Sequence, residues 1–388
     1  MDLDFTSAQL AFRDEARAWI ADHLPAEPLP AMDTPEGFER HREWEGVLYE
    51  DRWSVVAWPE EYGGRDAGLV DWLLFEEEYY RAGAPGRVNT NGISLLGPTL
   101  YAFGTDDQKD RFLSRMASGE EIWAQGWSEP DSGSDLASIS TKGIRDGEWF
   151  VLDGQKTWCS RGAWADWMFC IVRTDPDSER HRGLSYLLVP ADADGLERRP
   201  VGRLDGEPAF ADLFFDGCRV HESNLLGGEG EGWNVAMATT SSERGLNLRA
   251  PGRFLAAADR LAELYRDLVE EGSTDSGLLD EVVRAWTGAQ AYRWQTYRTA
   301  ARLSGGGELG ASSSMMKVFW SELDVELHAT ALRLLGDRGE LVAAAPDAVD
   351  GGAWMSGYLF SLSGPIYAGT NEIQRNIIAE RVLGLPRR

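Results

Sequence analysis

Apolar residues recur near the start of the chain at three- and four-residue intervals. Phe12, Ala16, Trp19, Ile20 and Leu24 fall on one side of a predicted helix. Thr6-Ser7-Ala8-Gln9 reads as a capping box at its start, with Phe5 and Leu10 placed as a hydrophobic staple, and Pro25, Pro28 and Pro30 stop it. The same spacing predicts amphipathic helices over 38–49, 69–81 and 106–116, with glycine and proline breaks at 59–64 and 83–86. From about residue 125 the period changes. Short aromatic and aliphatic runs at 149–152, 167–172, 184–189 and 211–215 read as strands. The pairs Asp146-Gly147, Asp153-Gly154, Arg182-Gly183, Asp194-Gly195, Asp205-Gly206 and Asp216-Gly217 read as the turns between them. Beyond about residue 231 the helical period returns, running through 241–244, 261–270, 278–303 and 312–335. The breaks lie at 272–277 and 304–307, and 342–352 reads as a mobile loop. A last helix opens at Gly369-Thr370, with Ile373, Ile377, Ile378 and Val382 predicted to face inward.

This order predicts an α+β multidomain chain: an N-terminal α-helical bundle (1–124), a central antiparallel β-barrel (125–230) and a C-terminal four-helix-type bundle (231–388). A length of 388 residues suits two or three such domains. Charge narrows the partners. With 38 Lys and Arg against 64 Asp and Glu the chain carries −26, which disfavours nucleic acid and anionic membranes and obliges any anionic ligand to find a local basic pocket. Cys159, Cys170 and Cys218 form no CxxC pair, so neither a metal site nor a disulfide framework is expected. Met1-Asp2-Leu3-Asp4 is acidic where a signal peptide is basic, and no uncharged run approaches the ~20 residues of a membrane span, so a cytoplasmic protein is expected. The five histidines show no HExxH spacing, and no GxSxG elbow, P-loop or GxGxxG following a strand occurs; hydrolase, NTPase and Rossmann chemistry are disfavoured.

Four stretches carry candidate chemistry. Residues 125–135, Gln-Gly-Trp-Ser-Glu-Pro-Asp-Ser-Gly-Ser-Asp, combine small side chains with exposed amides, suited to a flat ring or an anion, although such a stretch is more often a solvated turn. Residues 154–160, Gly-Gln-Lys-Thr-Trp-Cys-Ser, hold an indole of the kind that stacks on a flat heterocycle, yet with 16 Trp in the chain a core role is the commoner one. On the helix through 241–244, Glu243 shares a side with Ala236, Thr239 and Thr240, where it lines a cavity or, more commonly, pairs with a nearby Arg at the surface. At 366–381, Gly369 frees the backbone, Thr370 suits an N-cap and Glu372 suits the first turn.

These stretches together resemble the acyl-CoA dehydrogenase family over essentially the whole chain. The turn Pro59-Glu60-Glu61-Tyr62-Gly63-Gly64 and the segment 103–113 resemble its N-terminal domain. Residues 128–135 resemble its T/S-E-P-G-A-G-S-D signature, with Asp131 in place of Gly, and 154–160 its N-G-x-K-x-W-I-T/S stretch. Residues 367–370 resemble its Tyr-Glu-Gly-Thr motif, with Ala368 where many members carry the catalytic Glu. Glu243-Arg244 beside a small residue at 368 is similar to the isovaleryl and long-chain members, whose base lies on this helix. The general wording is similar to bacterial lipid- and steroid-degrading members.

The resemblance implies FAD as cofactor, bound by Gln125, Trp127, Ser128, Trp158, Ser160, Thr370 and Glu372, with no metal. It implies Glu243 as the base, with Arg244, Ser134 and Ala368 on the substrate side. The implied reaction is α,β-dehydrogenation of an acyl-CoA to the enoyl-CoA, a proton leaving to the carboxylate and a hydride to flavin N5. Implied partners are the acyl-CoA, an electron-transfer flavoprotein, and further chains in a homo-oligomer (dimer or tetramer) or a heterotetramer with a paralogue. The family's Arg-x-x-Phe-Gly motif, which reaches the FAD pyrophosphate of a neighbouring subunit, does not occur, and Leu334 to Gly339 match its adenine-side glycine turn only loosely. Two other readings stay open. One is a non-catalytic or partner-requiring subunit of a heteromeric acyl-CoA dehydrogenase, against which Trp158, Ser128 and Glu243 argue. The other is a flavoenzyme of this fold with a different reaction; nitroalkane oxidisers carry Asp at the 368 position, so Ala368 argues against that variety.

Overall fold

The structure is a computed structural model that describes residues 4–204, 206–244, 251–272, 276–307, 309–342 and 345–386, with side chains left aside at 241–244, 276 and 312. Its helices are α1 (Ser7–His23), α2 (Pro35–Glu50), α3 (Leu69–Arg81), α4 (Gly97–Phe103), α5 (Asp106–Ala117), α6 (Gly232–Arg244), α7 (Gly252–Glu270), α8 (Leu279–Ser304), α9 (Ser313–Leu335), α10 (Ala353–Ser361) and α11 (Asn371–Ile377). Its strands are β1 (Trp123–Gly126), β2 (Lys142–Asp146), β3 (Trp149–Ser160), β4 (Trp167–Arg173), β5 (Leu184–Pro190), β6 (Leu196–Val201), β7 (Phe210–His221) and β8 (Leu225–Leu226).

The chain divides into two compact units, neither of them a single stretch: one is 1–24, 68–84 and 244–388, the other 25–67 and 85–243. The first unit is helical. The Thr6–Gln9 capping box is complete, Thr6 Oγ1 accepting the Gln9 N–H at 3.2 Å and Gln9 Oε1 accepting the Thr6 N–H at 2.9 Å. The core of this unit joins Phe254, Leu261 and Leu268 of α7 to Val282, Ala289 and Tyr292 of α8 and Trp320, Leu327 and Leu334 of α9. Charged groups buried beside it are paired: Glu77 of α3 with Arg293 of α8 at 2.7 Å, Glu78 of α3 with Arg17 of α1 at 2.9 Å. Gly252 lets α7 lie directly against the backbone of α3. A Cβ there would stand 2.5 Å from the Glu76 carbonyl oxygen and 2.9 Å from Glu77 Cα, backbone atoms that cannot swing away. Gly252→Val is therefore expected to force the helices apart at a cost of about 1–3 kcal/mol, seen as a lower urea midpoint of unfolding. The segment expected as a mobile loop carries a short 3₁₀ turn, Val349–Gly352, whose Asp350 pairs with Arg260 at 3.0 Å; residues 343 and 344 lie outside the described residues.

The second unit is built on one sheet in the order β6-β7-β3-β2-β4-β5-β8, with β1 attached to β4. This corrects the predicted antiparallel barrel. The end strands β6 and β8 are not paired with each other, and β1 and β2 both run parallel to β4, so the sheet is open and mixed. Two of the predicted turns are also corrected. Asp153-Gly154 lies within β3 and Asp216-Gly217 within β7, because the chain continues straight through them. At Gly154 the β3–β7 pairing slips by one residue. Its φ of 146° and the nearness of Thr141 Cα, 2.8 Å from where a Cβ would stand, leave room only for glycine. A bulge and a turn use the same residues, so an Asp-Gly pair carries the same local signal in either place. Phe150, Leu152, Cys159, Met168, Cys170, Leu187, Leu213 and Cys218 belong to the sheet's core, which accounts for all three cysteines as buried and not disulfide-bonded.

Candidate active site

The stretches 125–135 and 154–160 lie side by side in the second unit. The first leaves β1 and turns back on itself: the Glu129 and Ser132 main chains exchange hydrogen bonds of 2.9 and 3.0 Å. Asp131 stands at the exposed tip of that turn with an ordinary negative φ, so the departure from glycine costs no backbone strain. Ser134 is exposed beyond it, and Asp135 pairs with Arg180 at 2.6 Å.

The second stretch is the end of strand β3 and carries another bulge, between Lys156 and Cys159, where the pairing with β7 shifts again. Within it Trp158 takes φ 59°, a left-handed conformation that a tryptophan adopts only when its surroundings hold it there. The bulge breaks the in-out alternation and leaves the indole 60% exposed, its edge against Phe210 at 5.8 Å. Thr157 is fastened on both sides: its hydroxyl bonds Asp212 of β7 at 2.6 Å, and its N–H donates to the Ser128 carbonyl at 2.9 Å. That last bond sets Trp127 and Ser128 beside Trp158. Ser160 follows, half-buried and opposite Phe210.

Beneath both stretches lies an ion pair that the sequence reading passed over. Lys156 is fully buried, Glu129 is 6% exposed, and the ammonium meets Glu129 Oε1 at 2.8 Å. The same ammonium donates to the Trp127 carbonyl at 3.1 Å. The carboxylate also accepts the Ser140 N–H (2.7 Å), the Ser140 hydroxyl (2.9 Å) and the Thr141 N–H (2.9 Å). Burial pushes the Glu129 carboxyl up, but the Lys156 charge and these donors outweigh it and hold it at about 2. Its stabilising contribution is therefore complete above the ordinary value of 4.5 and lost as pH falls from there towards 2. No local string marks the pair, whose members are 27 residues apart; only the rarity of lysine, four (Lys109, Lys142, Lys156 and Lys317) among 38 basic residues, sets Lys156 apart.

Residues 125–160 present donors and a flat apolar surface. Trp127 is buried against the rings of Phe169 and Tyr186, while the main-chain N–H and the hydroxyl of Ser128 and the amide of Gln125 have no partner among the described residues. An exposed indole held against strain beside unpartnered donors fits the face and hydrogen-bonding edge of an isoalloxazine.

Helix α6 ends at Glu243-Arg244, whose side chains lie outside the described residues. The helix side expected to line a cavity is instead partly used for packing. Thr239 is buried, its hydroxyl 2.9 Å from that of Thr99 on α4 and 3.4 Å from that of Tyr186 on β5. Thr99 follows a π-helical turn, Gly92–Leu96, that the sequence reading missed.

In the first unit, the C-terminal turn is built from below. Ala368 takes φ 56°, and its N–H has no partner among the described residues. Its carbonyl accepts the Gln374 side-chain amide at 2.9 Å. Thr370 caps α11, accepting the Ile373 N–H at 3.3 Å. The second fully buried lysine, Lys317 of α9, donates to Asn371 Oδ1 at 2.8 Å, and Ser321 to the same oxygen at 3.1 Å. Glu372 is exposed; its own main-chain N–H and then the Thr370 hydroxyl hold its carboxyl below the usual range. The predicted inward face of isoleucines is corrected: Asn371 and Gln374 are the buried residues, Ile373, Ile377 and Ile378 are half-buried, and Val382 is 42% exposed. A π turn at Ile378–Val382 winds the chain more slowly than 3.6 residues per turn and breaks the stripe.

Among the described residues no cluster of potential ligands could hold a metal ion, and no helix is long and apolar enough to cross a membrane. Three family models match the chain in order: the acyl-CoA dehydrogenase N-terminal domain over 6–120, the middle domain over 124–218 and the C-terminal domain over 230–383. The chain is 41% identical over 383 residues to acyl-CoA dehydrogenase IpdE1 of Mycobacterium tuberculosis, covering 97% of each. Among solved structures it is similar to the Tcur3481-Tcur3483 steroid ACAD (30% identity, TM-score 0.90) and to the ChsE4-ChsE5 complex from Mycobacterium tuberculosis (31%, TM-score 0.84), covering the whole of both chains in each case. The Trp158 bulge and the Ser128 edge thus fall in the middle family segment and the capped turn at Thr370 in the C-terminal one, and the chain belongs to the acyl-CoA dehydrogenases, oxidoreductases whose cofactor is FAD.

Proposed function

We propose that this chain removes two hydrogens across the α,β bond of an acyl-CoA thioester, with Glu243 as the base. The observation that carries the reading is the joining of Trp127-Ser128 to the bulged Trp158 through the Thr157 N–H, which sets free donors beside an exposed indole. Bound FAD supplies the acceptor for the β-hydride. Gln125, Trp127, Ser128, Trp158, Ser160, Thr370 and Glu372 serve to hold and orient it, and Ser134, Arg244 and Ala368 serve the substrate. The unpartnered N–H of Ala368, fixed by an unusual φ, suits a donor to the thioester carbonyl, which makes the α-proton acidic enough for a carboxylate to take. The Glu243 carboxylate gains basicity only where water is excluded. The family segments support a division of the chain near residues 124 and 230.

Neighbours named as a steroid ACAD and as a two-component complex favour a bulky polycyclic acyl group and a paralogous partner chain. An electron-transfer flavoprotein is the expected electron acceptor. The test is an anaerobic visible spectrum before and after adding straight, branched and steroid-side-chain acyl-CoAs. Loss of the yellow colour with a steroid-side-chain thioester is the expected result. A yellow protein bleached by none of them sinks the proposal. A chain that takes up flavin only with a partner present moves the activity to the heteromer.

A further inference from the structure

Of the four lysines in the chain, Lys109 and Lys142 have solvent access, whereas Lys156 has none. Every other basic residue is arginine, so lysine at 156 is not the habit of this composition. A compact ammonium with three tetrahedral donors fits a closed site where a planar guanidinium does not. Its ammonium bonds to the other stretch: the Glu129 carboxylate at 2.8 Å and the Trp127 carbonyl at 3.1 Å. In a trans peptide the C=O and the following N–H point in opposite directions. Holding the Trp127 carbonyl inward therefore turns the Ser128 N–H outward. That N–H has no partner among the described residues, and the Ser128 carbonyl is fixed separately by Thr157.

We propose that Lys156 and Glu129 are a positioning pair for the flavin edge: the ammonium anchors the Trp127 carbonyl, Glu129 neutralises the ammonium, and the Ser128 N–H is thereby aimed at the acceptor edge of the pyrimidine ring. This rests on the reading of residues 125–160 as the FAD site. Neither residue touches the ring; both act through one peptide plane. A donor aimed at that edge favours the electron-rich reduced ring over the oxidised one, so the pair raises the midpoint potential as well as the affinity. Among the described residues the Trp127 carbonyl has no second donor to take over if the ammonium is lost.

The test compares holoprotein of the wild type with Glu129→Gln, Lys156→Met, Lys156→Arg and the double variant Glu129→Gln/Lys156→Met. Three quantities are read: the rate of FAD release on dilution by flavin fluorescence, the flavin midpoint potential by dye equilibration, and the urea midpoint of unfolding. Lys156→Met and Lys156→Arg are expected to release FAD at least tenfold faster and to lower the potential, with Glu129→Gln intermediate. Should the single variants fail to fold, the double variant, which buries no unpaired charge, carries the test and is expected to fold with the same lowered potential. Variants that lose only urea resistance, with FAD release and potential unchanged, overturn the proposal and leave the pair a structural strut. Since none of these readouts uses substrate, a failure of the acyl-CoA reading leaves the result standing.

Discussion

Replacing Glu243 by glutamine is expected to leave a yellow holoprotein whose colour no longer fades when acyl-CoA is added. Gln keeps the size and hydrogen-bonding reach of the side chain and removes only its ability to take a proton. General bases contribute about 10²–10⁴ in rate, so the bleaching rate constant should fall by that factor while binding of the thioester is little changed. Position 368 sharpens the expectation, because Ala368 has no carboxylate to substitute for the lost one. Stopped-flow bleaching under anaerobic conditions measures the rate, and a titration of the variant with the enoyl-CoA product measures binding. Bleaching at the wild-type rate would place the base elsewhere. Loss of flavin together with activity would show that Glu243 supports the fold of α6 rather than the reaction.

The largest stability effect is expected in the helical unit, at Arg253. Its guanidinium pairs with Asp324, which is 1% exposed on α9, and lies over the rings of Phe254 and Phe360 at 5.0 and 5.5 Å. The His328 ring is the carboxylate's other neighbour, Nδ1 standing 3.3 Å from Oδ1. Arg253→Met keeps much of the apolar stem but strands a buried carboxylate, at a cost of about 3–5 kcal/mol. Asp324→Asn in the Arg253→Met background should recover much of that, since the stranded charge is gone. The pH dependence has a definite sign. Burial raises the Asp324 carboxyl, but the Arg253 charge, with His328 behind it, outweighs burial and holds it at about 2 against an ordinary 3.8. In the wild type the pair stabilises above about pH 4 and its contribution fades as pH falls towards 2. In Arg253→Met the carboxyl rises, so the deficit is widest at neutral pH and narrows in acid. Urea midpoints of both proteins from pH 7 to 3 measure this; a deficit that does not narrow would mean that lost packing, not charge, is responsible.

Helices bounded by local signals were legible residue by residue. The pattern over 69–81 is helix α3 as it stands, and that over 106–116 is α5 short of one residue, because caps and apolar stripes act within a few positions of themselves. Sheet closure was not legible. Whether β1 joins β4 in parallel, or β6 ever meets β8, depends on pairings between distant residues that no short window contains. The candidate site divides in the same way. Trp158, Ser128 and Thr370 could be picked out because each sits in a distinctive local string. The strain at Trp158 could not, since it arises from a slip between two strands, and neither could the Glu129–Lys156 pair, whose members look like solvated charges until β3 is laid beside the turn that follows β1. The π turns at Gly92–Leu96 and Ile378–Val382 defeated the reading in another way, by breaking the 3.6 period on which it relied.

Two of the four lysines are sealed, and each is sealed under a different stretch: Lys156 under Trp127, Lys317 under Asn371. An amine-reactive reagent added to the folded chain therefore meets only Lys109 and Lys142 among its lysine side chains. Label arriving at Lys156 records an opening of the sheet unit, and label at Lys317 an opening of the helical one. Counted by mass spectrometry over time, the two residues act as separate clocks, one per unit, with the two solvent-accessible lysines as the reference for reagent consumed.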